Sequence, residues 1–116
     1  MITLENLIDR GYREYPVPKY SGWSNAQKFF QKKIIVIEDA DEFYIDAYIY
    51  DFRNYDPAMK VDFVFDCQFN GDYDGTTFNI NTVGWKNEEK TLDRVEEFFM
   101  EVYKLSKKFR KIKEDI

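Results

Sequence analysis

Carboxylates are the most numerous side chains here that could do chemistry. Glu38, Asp39, Asp41, Glu42, Asp46, Asp51, Asp56, Asp62, Asp66, Asp72 and Asp74 stand within one segment whose only basic residues are Arg53 and Lys60. Such groups can pass protons, hold a hard metal ion or offer acceptors to a partner. The chain has no histidine and one cysteine, Cys67. Serine–histidine and cysteine–histidine catalysis, a cysteine-based zinc cage and an intramolecular disulfide are therefore excluded. Asp72-Tyr73-Asp74-Gly75 resembles the start of a calcium loop, but Thr77 stands where glycine is needed and Val83 where glutamate is needed. A hairpin turn is the expected role. Asp62 and Asp66 come with no phosphate-cradling glycine loop and no nucleophile signature, so no enzyme, metal or cofactor is expected.

The elements that must position these carboxylates follow from periodicity. Between Val61 and Asn70, Val61, Phe63, Phe65, Cys67 and Phe69 share one parity, while Asp62, Asp66, Gln68 and Asn70 share the other. Successive strand side chains point to opposite faces, so this is a strand with one buried and one wet side, in an antiparallel sheet. Val64 is the apolar intruder on the wet side. Cys67, placed among phenylalanines, is expected to be a small buried hydrophobe. A first strand is predicted from Lys28 to Glu38, with ambiguous parity. A second runs from Phe43 to Phe52, its Phe43, Ile45, Ala47 and Ile49 opposed to Tyr44, Asp46, Tyr48 and Tyr50. A fourth spans Thr76 to Val83, with Phe78 and Ile80 inward and Thr77, Asn79 and Asn81 outward.

Thr3 is placed to cap, and Gly11 to end, a short amino-terminal helix. Tyr12 to Gly22, with Pro16 and Pro18, predicts an extended arm over the fold. After Trp85, with Asn87 or Thr91 as its cap, a long terminal helix is predicted. Leu92, Val95, Phe99 and Val102 recur at helical spacing, and Phe98, Tyr103, Leu105 and Phe109 widen the stripe. The expected architecture is a single α+β domain over residues 1–116. A four-stranded antiparallel meander packs against a long C-terminal helix, with a short N-terminal helix besides.

Composition agrees with one folded domain, at 116 residues with 44% hydrophobic and 19% aromatic content. No apolar run approaches the ~20 residues that cross a bilayer, and the first residues lack the basic start of a secretory signal. A soluble, cytoplasmic protein without membrane contact is the expectation. Lys104, Lys107, Lys108, Arg110, Lys111 and Lys113 make the far end basic, so the protein is expected to be electrically two-sided. A pI near 4.8 argues against direct nucleic-acid binding.

Paired in the order read, the strands would place Tyr44, Asp46, Tyr48, Tyr50, Asp62, Asp66 and Gln68 on one exposed face. Tyrosine brings contact area at low entropic cost, and Asp and Gln add directional hydrogen bonds, so these seven residues are the candidate partner-binding surface. Further residues carry a family likeness, in the order Gln27-Lys28, Tyr44-Ile45, Tyr48-Ile49-Tyr50-Asp51-Phe52, Gln68-Phe69-Asn70, Thr77-Phe78-Asn79-Ile80, Trp85 and Val95-Glu96-Glu97-Phe98-Phe99. In these the chain resembles small, poorly characterised accessory proteins encoded by bacteriophages and prophages. The resemblance implies a compact accessory protein in the host cytoplasm and supplies no catalytic positions. The function expected is binding of a host protein, as in inhibition of a host defence. A small-ligand or nucleotide sponge and an acidic mimic of nucleic acid are the alternatives, and a homo-oligomer stays open.

Overall fold

Alternation through the middle of the chain folds into an antiparallel sheet, and the helical stripe at its end supplies the cover. The computed structural model describes residues 2–19, 22, 24–50, 62–69, 76–81 and 89–114, without the side chains of 62, 68, 69, 76, 77, 89 and 109–114. Helix α1 (Leu4–Asp9) leads into strand β1 (Arg13–Tyr15), then β2 (Lys28–Val36), β3 (Asp41–Tyr50), β4 (Asp62–Phe69), β5 (Thr76–Asn81) and helix α2 (Glu89–Glu114). The strands lie in chain order β1-β2-β3-β4-β5, every neighbour antiparallel.

The sheet has five strands rather than four. The additional one is the first part of the expected arm: Arg13, Glu14 and Tyr15 pair with Gln31, Phe30 and Phe29. The cause is the sharp exit from α1. Thr3 and Asn6 form a reciprocal capping box at its start. At its end Gly11, at φ +93°, turns the chain back, with Gly11 N–H donating to Ile8 C=O (3.0 Å) and Tyr12 N–H to Leu7 C=O (3.0 Å). This paired closure needs the left-handed conformation that glycine adopts without cost. It drops Tyr12 into the core, edge-on to Phe65 at 6.5 Å, and aims the next residues along β2.

One face of the sheet is the core. Phe43, Ile45, Ala47 and Ile49 of β3 and Phe63, Phe65 and Cys67 of β4 are all buried there, with Leu92, Val95, Phe99, Val102 and Tyr103 of α2. The even residues of β2 share this face, because Phe30 pairs with Ala47 and Phe65 pairs with it from the other side. Small Ala47 thus sits between two phenylalanines. Phe98 and Leu105 do not widen the buried stripe; they are 44% and 53% exposed. Thr91 lies inside α2 and is buried. The predicted cap Asn87 and the loops 53–60 and 71–75 lie outside the described residues.

Two polar networks fix α2 along the sheet. At one end the Glu96 carboxylate takes Arg10 Nη2 at 2.5 Å and Lys32 Nζ at 2.8 Å, while Arg10 Nη1 reaches Asp93 at 2.7 Å. Lys32 also sits over the Tyr12 ring, 5.6 Å from its centroid. At the other end the Tyr103 hydroxyl donates to Asp41 Oδ2 (2.8 Å) with Asp39 Oδ2 at 3.2 Å, and Lys107 pairs with Asp39 at 3.1 Å. Part of the expected charge asymmetry is therefore spent internally.

The β2–β3 turn holds one unfavourable residue. Ile37–Asp39 form a 3₁₀ turn closed by Ala40 at φ 49°, ψ 44°, left-handed backbone that an alanine adopts at a cost. Ala40→Gly is expected to raise stability by about 1 kcal/mol, net of the added freedom of the unfolded chain, as read from a denaturant midpoint. Glu96→Gln leaves Lys32 facing a neutral group and Arg10 with Asp93 as its remaining carboxylate. It is expected to cost about 2 kcal/mol in the same measurement, less than for a fully buried pair because the site keeps some solvent.

Candidate functional site

The open face of the sheet is built from the opposite parity of each strand. In register across β3 and β4, Tyr44 lies opposite Gln68, Asp46 opposite Asp66, Tyr48 opposite Val64 and Tyr50 opposite Asp62. The strand positions of all seven sequence-predicted residues therefore fall in these rows. β5 extends the rows, setting Asn79 beside Asp66 and Asn81 beside Val64. On the other side Lys33 lies beside Tyr44, Gln31 beside Asp46 and Phe29 beside Tyr48, with Arg13 and Tyr15 of β1 next in line. One polar row thus crosses the whole sheet, from Arg13 through Gln31, Asp46 and Asp66 to Asn79.

The face is not uniformly exposed, which corrects the sequence reading. Tyr48 is 4% exposed and Asp66 8%. Phe29, Tyr48, Val64 and Ala26 form a second small core, against which Val17 and Tyr50 pack. The Phe29 and Tyr48 rings stack at 4.9 Å. Residues just beyond β1 and just before β2 thus cover one end of the face, and Val64, the apolar intruder of the alternation, is what they cover. Tyr44 remains 38% exposed, whereas Asp46 and Tyr50 are half-buried. The side chains of Asp62 and Gln68 lie outside the described residues.

Sequence reasoning missed the uncovered end. Arg13, Tyr15, Gln31 and Lys33 join Tyr44 and Gly11 around a surface cleft of about 490 Å³, and Tyr15 is 45% exposed. The signal was present as the odd parity of Phe29, Gln31 and Lys33 and the two-residue spacing of Arg13 and Tyr15. It was hidden because Phe29-Phe30 and Ile34-Ile35-Val36 are apolar on both parities.

Electrostatics divide the face. The Lys33 ammonium is 3.0 Å from Glu42, and that hydrogen-bonded carboxylate holds its pKa above the ordinary lysine value. Gln31 Nε2 donates to Asp46 Oδ1 at 2.8 Å. Burial, and then the facing charge of Asp66, raise the Asp46 carboxyl above its ordinary range against the opposing effect of that hydrogen bond. Burial likewise raises the Tyr48 hydroxyl, helped by Asp46 and Asp66. Cys67, on the covered face, is fully buried, and burial pushes its thiol pKa up.

Among the described residues no group of three or more Asp, Glu, Cys or His is placed to hold a metal ion, and no helix is long and apolar enough to cross a membrane. What the face offers is shape, hydrogen bonding and mixed charge. Comparison with protein-family models, curated proteins and solved structures found no match.

The Asp46–Asp66 pair makes a prediction about pH. A raised Asp46 pKa means that the folded protein binds this proton more tightly than the unfolded chain. Its contribution to stability is therefore full at low pH and is lost as pH rises from the ordinary 3.8 through the raised value. Asp46→Asn keeps an acceptor for Gln31 and removes the repulsion. Urea unfolding is expected to show the variant level with or up to about 1 kcal/mol above wild type at pH 7, with that advantage shrinking towards pH 4.

Proposed function

We propose that this chain is a non-enzymatic binding protein that engages a host protein through the uncovered half of its open sheet face. The observation that carries this reading is the pair of half-exposed tyrosines, Tyr15 and Tyr44, flanking Gln31 with the cations Arg13 and Lys33 around one cleft. Tyrosine beside arginine is the composition of a binding hot spot, and the rigid sheet presents both at little cost in ordering. Glu42 and Asp46 beside them add the opposite charge, which favours a partner surface of mixed sign. The likeness to phage accessory proteins suggests inhibition of a host defence factor as the form this binding takes. Of the seven residues read from sequence, Tyr44 stays at the centre of the surface. Asp46 stands beside Gln31 in the next row, while Tyr50 packs against the small core of Tyr48 at the covered end and Asp66 is buried.

A small anionic ligand is the second reading, favoured by the same cleft of about 490 Å³, which is of small-molecule size. A retained mass in native mass spectrometry of the purified chain supports it, and a bare chain argues for the protein partner. Mimicry of nucleic acid draws less support, because Asp66 is buried and Asp39 is held by Lys107.

Affinity capture from bacterial lysate tests the main reading. Replacing Tyr15 and Tyr44 together by alanine is expected to weaken specific capture by roughly thirtyfold, the effect of losing a hot spot worth about 2 kcal/mol. Tyr48→Phe, beneath the cover, is expected to leave capture unchanged. Full capture by the double variant would place the binding surface elsewhere.

A further inference from the structure

With one exception, the described charges of the open sheet face are spent within the molecule. Lys33 stands 3.0 Å from Glu42, Asp46 accepts from Gln31 at 2.8 Å, and Asp66 is buried. The exception is Arg13. It is exposed, and among the described residues its guanidinium meets no carboxylate and no other hydrogen-bond acceptor. Strand β1 is the outermost of the sheet, so Arg13 ends its row, two strands and about 10 Å from Asp46.

The cleft that Arg13 lines with Lys33 has Gly11, Tyr15, Gln31 and Tyr44 as its other walls, and no carboxylate among them. In a chain of net charge -5, this is a positively lined hollow of about 490 Å³. A guanidinium is a planar fork of N–H donors that meets two oxygens at once, as a carboxylate or a phosphoryl group presents them. The supply of donors chooses between the two. A carboxylate brings one charge and two oxygens, which the single unspent fork matches. A phosphoryl group brings three acceptor oxygens and nearly twice the charge, while the second cation, Lys33, is already shared with Glu42. The tyrosines favour the same choice, because the half-exposed rings of Tyr15 and Tyr44 offer apolar surface to the stem of a glutamate or aspartate.

We propose that the host-protein segment engaging this cleft presents a carboxylate side chain to Arg13, as the anionic member of the partner's mixed-sign surface. Arg13 then sets specificity, and the tyrosines supply contact area. That role of Arg13 rests on the host-binding reading of the Tyr15–Tyr44 face.

Two measurements on the full chain test it. In solution, an oligoglutamate peptide is expected to shift the NMR signals of the Arg13 side chain and of the Tyr15 and Tyr44 rings, at concentrations about tenfold lower than oligoglutamine or inorganic phosphate. In capture from bacterial lysate, Arg13→Gln is expected to weaken specific capture about tenfold and to flatten its decline with rising salt. Arg13→Lys, which keeps the charge without the fork, is expected to recover part of the loss. Arg13 is exposed, so both variants are expected to keep the wild-type urea midpoint. Capture that survives Arg13→Gln but is lost when Tyr15 and Tyr44 are replaced would overturn the carboxylate and leave host binding standing. Capture that survives the tyrosine double variant would overturn both. A wild type that prefers inorganic phosphate, or that gives no response to oligoglutamate, would overturn the carboxylate as well.

Discussion

The molecule depends on burying one parity of a sheet under one stripe of a helix. Phe43, Ile45, Ala47, Phe65 and Cys67 reach the core only if α2 lies across them, and α2 is held there by Leu92, Val95, Phe99 and Val102. A slip of one residue in any central pairing would turn that strand's phenylalanines to water and its aspartates into the core, so the apolar contact sets the register of the whole sheet. The composition of the opposite face follows from it. Asp46 faces Asp66 because Ala47 must face Phe65, despite the repulsion that the carboxylates then bear.

The apolar seam alone would let the helix slide, and the ends prevent it. Arg10 and Lys32 both close on Glu96, while Tyr103 and Lys107 close on the turn that carries Asp39 and Asp41. Ionic contacts are modest contributors when exposed, but they are directional in a way that phenylalanine contacts are not. Here they bind the first helix, the second strand and the β2–β3 turn to one helix. Carboxylates that look in sequence like a reservoir for a partner are in part internal fittings.

Much of this was legible beforehand, and the reasons differ element by element. β3 and β4 could be read because their alternation is nearly unbroken, and α2 because its spacing repeats over several turns. Thr3 and Gly11 marked the ends of α1 through backbone chemistry that needs no tertiary information. β1 could not be read: Arg13-Glu14-Tyr15 has no apolar alternation and is a strand only because the glycine turn lays it beside β2. The second small core was also hidden, since Val17, Ala26, Phe29 and Val64 are far apart in the chain and meet only after the sheet forms. The seven residues read from sequence were accordingly grouped in facing rows of the sheet, but the burial of Tyr48 and Asp66 was not foreseen.

Among the described residues every strand pairs with its sequence neighbour, and the helix that covers the sheet comes after all five. Such a topology closes by short steps and favours rapid assembly. On a ribosome, however, the strands emerge first. Until the residues of α2 follow, a row of phenylalanines has no lid, and the nascent sheet must wait for a shield that is made after it. The protein's most vulnerable moment thus falls in its own synthesis, when a chaperone or a neighbouring nascent chain could occupy the place that Leu92, Val95 and Phe99 later fill.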